Sequence, residues 1–144
     1  MNLVNSLAKQ VTDRLPKSLS PTSHAVADYI LLAGTVAAAT YLFRRNRTAG
    51  ACAVIAAVTE GANMALTDFP GGIFKTISFP MHGRLGLGIA AMVASMPKLM
   101  NFDKTPEARF FQMHSLAVVS LIGMTDFTGT GKTRQVRELQ HAEV

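Results

Sequence analysis

The chain has 144 residues, of which 49% are apolar and 16% charged, against roughly 25% charged in an average soluble domain. That length fits one domain, and the single cysteine, Cys52, with no CxxC or Cys/His spacing, excludes a disulfide scaffold and a structural zinc site. The long apolar blocks exclude low-complexity disorder, while a formal charge of +5 raises nucleic acid or an anionic membrane surface as a partner.

Residues 1–19 come first. Leu3, Leu7, Val11 and Leu15 recur at every fourth position with Lys9, Asp13 and Arg14 between them, which predicts a short amphipathic helix lying on a membrane surface. The stretch lacks the basic start and unbroken apolar run of a signal peptide.

Beyond it the charged residues leave four nearly uncharged windows, 25–43, 49–67, 82–100 and 108–126, each 19 residues long. At that length a helix spans about 28 Å, close to the ~30 Å hydrocarbon core of a bilayer. A soluble bundle would need a polar stripe along each helix. Residues 29–43 offer only two Thr and two Tyr, and residues 110–125 only Gln112, His114, two Ser and Thr125. The expected fold is therefore all-α, an integral membrane four-helix bundle with an interfacial N-terminal helix. All eight Phe (43, 69, 74, 79, 102, 110, 111, 127) fall at or beyond the window ends, as expected of an aromatic belt at the membrane interfaces.

The window limits carry helix signals. Ser20-Pro21-Thr22-Ser23 caps the first, and Arg44, Arg45 and Arg47 close it with cations at the helix C-terminus. Pro70-Gly71-Gly72 closes the second, Pro80 opens the third, and Pro97 ends or bends it. Residues 128–144 read as a solvated tail. Eight Lys/Arg lie on the face of the termini and central loop against six on the other, which favours cytoplasmic termini.

Sliding the chain by 58 residues places Ser20 on Ser78, His24 on His82, and Thr67-Asp68-Phe69 on Thr125-Asp126-Phe127. These landmarks predict tandem helical hairpins, residues 20–69 and 78–127, packed around an approximate two-fold axis along the membrane normal. His24 and His82 would then share one depth, on the same face as Asp68 and Asp126.

The order Ser20-Pro21, His24, Asp28-Tyr29, then Thr67-Asp68-Phe69-Pro70, then Pro80, His82 and Leu85 resembles the small bacterial membrane proteins built from tandem two-helix SPW-type repeats. The resemblance covers about residues 20–127. The Ser-Pro-Trp that names the family is absent, and the acid four residues after the histidine is Asp28 in the first repeat but Gly86 in the second. The resemblance implies a fold and a bacterial inner-membrane location, and no activity.

Several residues stand out within the windows. Ala49, Ala53, Ala57, Gly61 and Ala65 form a row of small residues, echoed by Gly86, Ala90 and Ala94. Such rows let helices approach closely in lipid, either inside the four-helix unit or at an oligomer interface. Glu60 lies eight residues from Asp68, near the bilayer midplane, where an ionised acid costs roughly 2.5–3.5 kcal/mol. With Asn63 one turn on, Glu60 reads either as a proton or ligand site or as a neutral acid hydrogen-bonded across an interface. Asp28 shares a helix face with His24 at i, i+4, Arg84 is its expected ion-pair partner across the repeats, and Asp68 and Asp126 are expected to receive His24 and His82. His24, His82 and His114 are candidate ligands for haem b or a metal ion, with His114 nearer the opposite membrane face.

Other patterns fail on context. Gly129-Thr130-Gly131-Lys132-Thr133 has Asp126 where a phosphate loop needs its first Gly, and no strand precedes it. Gly83-x-x-Gly86-x-Gly88 reads as helix packing and not as a dinucleotide fingerprint, and no nucleophile-elbow grouping occurs. Positive charge divided between two faces argues against nucleic acid. No catalytic residue is assigned and no cofactor is favoured. The leading expectation is a non-enzymatic accessory or scaffold protein, in contact with the bilayer and forming a homo-oligomer or part of a larger membrane complex. The rivals are a haem- or metal-binding electron-transfer protein using His24, His82 and His114, and proton or small-solute passage through Glu60.

Overall fold

A computed structural model describes residues 15–127. The expected amphipathic helix of residues 1–19 falls largely outside this range, as does the 128–144 tail, and residues 15–20 contain no helix. Within it the chain is all-helical, with four helices and no strand: α1 (Pro21–Arg45), α2 (Arg47–Leu66), α3 (Phe79–Leu99) and α4 (Ala108–Met124).

The helix starts follow their caps. The Ser20 side chain accepts from the Ser23 backbone N–H and the Ser78 side chain from that of Met81, and a proline occupies the first turn of α1 and of α3. Asn46 alone separates α1 from α2: its N–H bonds to the Leu42 carbonyl, and its side chain caps α2 by accepting from Ala49. The first hairpin is therefore almost without a loop. Pro97 falls inside the last turn of α3, where the chain bends towards the 100–107 connection.

Each hairpin packs along its own length, and the bundle closes through α2 against α3 and α1 against α4. Ala49, Ala53 and Ala57 are buried on α2, as are Gly86 and Ala90 on α3. Gly61 and Ala65 are half-buried and Ala94 is exposed. The small-residue rows thus serve packing within the four-helix unit over most of their length. One core cluster joins Leu42, Ala53, Val93, Met96, Phe102 and Phe111, among others; a second joins Ala25, Met64, Phe69 and Phe79.

α1 and α2 are each long and apolar enough to cross a membrane. α4 has 17 residues, and α3 carries Arg84 and Lys98 within its 21. Large apolar side chains face outward on α1, α2 and α4: Val26, Ile30, Val36, Ile55, Val58 and Leu116 are all more than half exposed, whereas α3 also exposes Arg84, Ser95 and Lys98. The phenylalanines depart from the expected belt. Phe69, Phe79, Phe102 and Phe111 are buried and Phe43 and Phe74 exposed, because Phe69 and Phe79 fold over the His24–His82 pair while Phe102 and Phe111 fill the apolar cluster at the other end.

The contacts at one end of the bundle recur at the 58-residue offset. Leu19 pairs with Thr125 as Ile77 pairs with Thr67. Leu19 N–H bonds to Met124 O and Asp126 N–H to Leu19 O; likewise Ile77 N–H bonds to Leu66 O and Asp68 N–H to Ile77 O. Gly72 permits the turn after α2, since a Cβ there would lie 1.7 Å from the Thr67 carbonyl oxygen.

Candidate metal centre

His24 and His82 lie four residues into α1 and α3, so the two capping serines place both rings at one depth, in the first turn. Both are buried, at 0% and 4% exposure. Thr67 and Thr125 follow α2 and α4 as their C-caps, and each hydroxyl turns back to donate to the carbonyl four residues earlier, Asn63 O and Leu121 O. Having spent its proton there, each hydroxyl can only accept from a ring. Thr125 Oγ1 stands 2.6 Å from His24 Nδ1 and Thr67 Oγ1 stands 3.0 Å from His82 Nδ1. Nδ1 is therefore the protonated nitrogen of both rings, a tautomer assigned from the bonding network. Each hairpin orients the histidine of the other.

The consequence lies at the opposite ring edge, where neutral histidines of this tautomer have bare Nε2 lone pairs. The two Nε2 atoms are 3.2 Å apart. Asp28 Oδ2 lies 3.2 Å from His24 Nε2 and 3.1 Å from His82 Nε2, is itself buried, and accepts no well-aligned hydrogen bond among the described residues. Three electron-pair donors thus converge on one point, an arrangement that requires a cation or an added proton between them. Donors about 2.0–2.1 Å from a tetrahedral ion stand about 3.3 Å from one another, and octahedral ligands somewhat closer. The observed triangle matches that spacing.

Rings close the site. Phe79 packs edge-on to His24 with centroids 5.3 Å apart, Phe127 stands 5.6 Å from His24, and Phe69 stands 5.3 Å from His82. Asp28 has no carboxylate counterpart: the equivalent position of the second hairpin is Gly86, buried against the end of the Ile122 side chain. One carboxylate sits where two would repel each other.

The remaining sequence-predicted residues distribute as follows. The structure brings together His24, Asp28 and His82, with Asn63 beside them donating from Nδ2 to the His82 carbonyl oxygen. Asn63 thus serves His82 and not Glu60. His114 is separate: its Nε2 is 2.5 Å from Glu60 Oε1 and its Nδ1 is 3.4 Å from Thr35 Oγ1. Glu60 therefore has a partner on α4 that the sequence reading did not pair with it. Asp28 faces the histidines and Arg84 is exposed, so the expected Asp28–Arg84 pair is replaced by Asp28 with His24 and His82. The threonines of the two Thr-Asp-Phe triplets take the ring positions expected of Asp68 and Asp126. Asp68 is exposed and 3.8 Å from Lys75 Nζ; Asp126 is half-buried, and its backbone N–H holds Leu19. The roles of Thr67 and Thr125 were missed, although their recurrence at the 58-residue offset carried the signal.

A haem does not fit between these histidines. Axial ligands on opposite faces of one haem stand about 4 Å apart with the macrocycle between them, whereas here the Nε2 atoms are 3.2 Å apart with Asp28 on the same point. The three donor atoms could instead hold a single metal ion directly. No protein-family model, curated protein or solved structure matches the chain.

Proposed function

We propose that this is an integral membrane protein that binds one divalent transition-metal ion through His24 Nε2, His82 Nε2 and Asp28 Oδ2. The observation that carries the reading is the convergence of these three donors within 3.2 Å while both Nδ1 edges are held by threonine hydroxyls. Metal-bound histidines characteristically donate their other N–H to an oxygen that fixes the ring. Two imidazoles and one carboxylate suit zinc or ferrous iron among the biological metals.

All four helices cross the bilayer in this reading, as tandem hairpins with cytoplasmic termini. The apolar outward faces of α1 and α2 support it, since large apolar side chains exposed along a helix suit lipid and burden a soluble surface. The 17 residues of α4 reach about 26 Å, short of the ~30 Å core by an amount that slight local thinning accommodates. The scaffold reading that leads from sequence has weaker support, because its small-residue rows are mostly spent on internal packing.

The test is metal titration of chelator-stripped protein in mild detergent. One Zn(II) or Co(II) per chain is expected, with loss of that binding in His24→Leu and in His82→Leu. Absence of stoichiometric binding, or full binding by both variants, overturns the reading; a Soret band from purified protein would restore haem. For the membrane placement, nitroxides at Ile30, Val58 and Leu116 should be relaxed more by oxygen than by a water-soluble nickel chelate. The opposite order would show these faces in water.

A further inference from the structure

The three protein donors leave the ion short of ligands, since zinc takes four and ferrous iron up to six. Beside the triangle lies a cavity of about 30 Å³ whose walls include Asp28, His82, Asn63, Glu60, Gly86 and Ile89. A cavity of that size holds a water-sized group. Asn63 is 8% exposed, and its Oδ1 has no hydrogen-bond partner among the described residues, because its Nδ2 is committed to the His82 carbonyl oxygen. A buried amide oxygen without a donor marks a place where a hydrogen-bonding ligand belongs.

On the reading that His24, Asp28 and His82 hold a metal, we propose that the ion has an open coordination position facing this cavity, and that a water or a small anion of two or three atoms occupies it. Asn63 Oδ1 accepts a hydrogen bond from the bound water. Glu60, one turn along α2 from Asn63 and anchored to His114 at 2.5 Å, forms the far wall. The centre is thus of the type that binds an exchangeable ligand, in contrast to a closed structural site whose protein ligands saturate the metal.

The experiment uses the full chain in detergent, loaded with Co(II), whose visible bands report coordination, and titrated with azide as the probe. Azide should shift the Co(II) bands of the wild-type protein saturably. Asn63→Leu, which replaces the amide by an apolar group of similar size, should retain one Co(II) per chain and bind azide more tightly than the wild type, because Oδ1 holds the bound water by accepting its proton and azide has no proton to offer in its place. Val118→Leu, which adds a methylene at another wall residue, should also retain one Co(II) per chain and weaken azide at least tenfold by filling the cavity. A 1:1 Co(II) signal that azide leaves unchanged, or that it shifts equally in the wild type and both variants, overturns the open position and leaves the metal reading standing. No stoichiometric Co(II) signal in the wild type overturns both.

Discussion

His24 and His82 bring their Nε2 atoms to 3.2 Å while each turns Nδ1 to a threonine of the other hairpin. The distances are 2.6 Å for His24 with Thr125 and 3.0 Å for His82 with Thr67. The site thus exists only where the two hairpins meet, and the two threonines hold corresponding places in it. Thr67→Val and Thr125→Val should each weaken the metal by about 10- to 100-fold, the usual effect of losing an outer partner of a histidine ligand. Competition against a chromophoric chelator measures both. A large loss in one and none in the other would show that the two rings do not serve one ion.

Asp28 supplies the only carboxylate of the triangle, and Arg84 is exposed. Asp28→Asn should therefore cost more metal affinity than either threonine variant, and Arg84→Gln should leave it unchanged. The same competition assay decides between this outcome and the charge pair expected from sequence. Equal losses from both substitutions would reinstate that pair.

Glu60 and His114 form the second buried polar contact, 2.5 Å across α2 and α4, with only 12% and 4% of their side chains exposed. At that exposure water does not readily replace a lost partner, so removing one group leaves the other unsatisfied. Glu60→Leu and His114→Leu should each destabilise, and the double variant should be less destabilised than the sum by about 0.5–3 kcal/mol. Unfolding in mixed detergent micelles provides the cycle. Additive losses would mean that the pair contributes nothing as a pair.

The order and type of the helices were legible because composition and caps are local. The charge-free windows, Ser20, Ser78 and the prolines at 21, 80 and 97 determine the helices with no knowledge of their packing. The His24–Asp28 half of the site was legible for the same reason, since i, i+4 is a property of one helix. His82 joined through the 58-residue offset, yet the choice between Thr and Asp in the Thr-Asp-Phe triplets was not local. A C-capping residue in extended conformation turns its side chain back over the helix end, so the threonine reaches the ring. The Glu60–His114 contact was illegible because it depends on how α2 and α4 are rotated about their axes, which apolar helices without a polar stripe do not reveal. The phenylalanines misled for a related reason: position at a window end is shared by exposed rings such as Phe43 and Phe74 and by rings folded into the interior such as Phe79 and Phe111.

Gly72 tests whether the turn after α2 holds Thr67 in place. A methyl group there meets the Thr67 carbonyl oxygen at 1.7 Å, while Gly88 has nothing within 4 Å of an added Cβ. Gly72→Ala should lower thermal stability and metal affinity together, because the backbone must shift at the residue that orients His82. Gly88→Ala, on α3, should be neutral or stabilising by up to about 1 kcal/mol from helix propensity. Gly72→Ala with full metal affinity would separate the turn from the site.

At the opposite end of the bundle Arg45 Nε donates to Glu107 Oε1 at 3.1 Å, linking the first hairpin to the start of α4. The Glu107 carboxyl is held below its ordinary value of 4.5, first by its own backbone N–H and then by Arg45 and Thr105. A depressed carboxyl pKa contributes stability that is fully present above the unfolded-state value and is lost as pH falls through the folded-state value. Glu107→Gln should therefore lower the melting temperature at pH 7, and the gap from the wild type should close as pH drops below 4.5. Because the backbone N–H is the larger cause and Arg45 is half exposed, Arg45→Ala should remove less of this pH dependence than Glu107→Gln. Melting curves of the three proteins across pH 3.5–7 in one detergent provide the comparison. An Arg45→Ala curve that superimposes on that of Glu107→Gln would assign the whole effect to the ion pair.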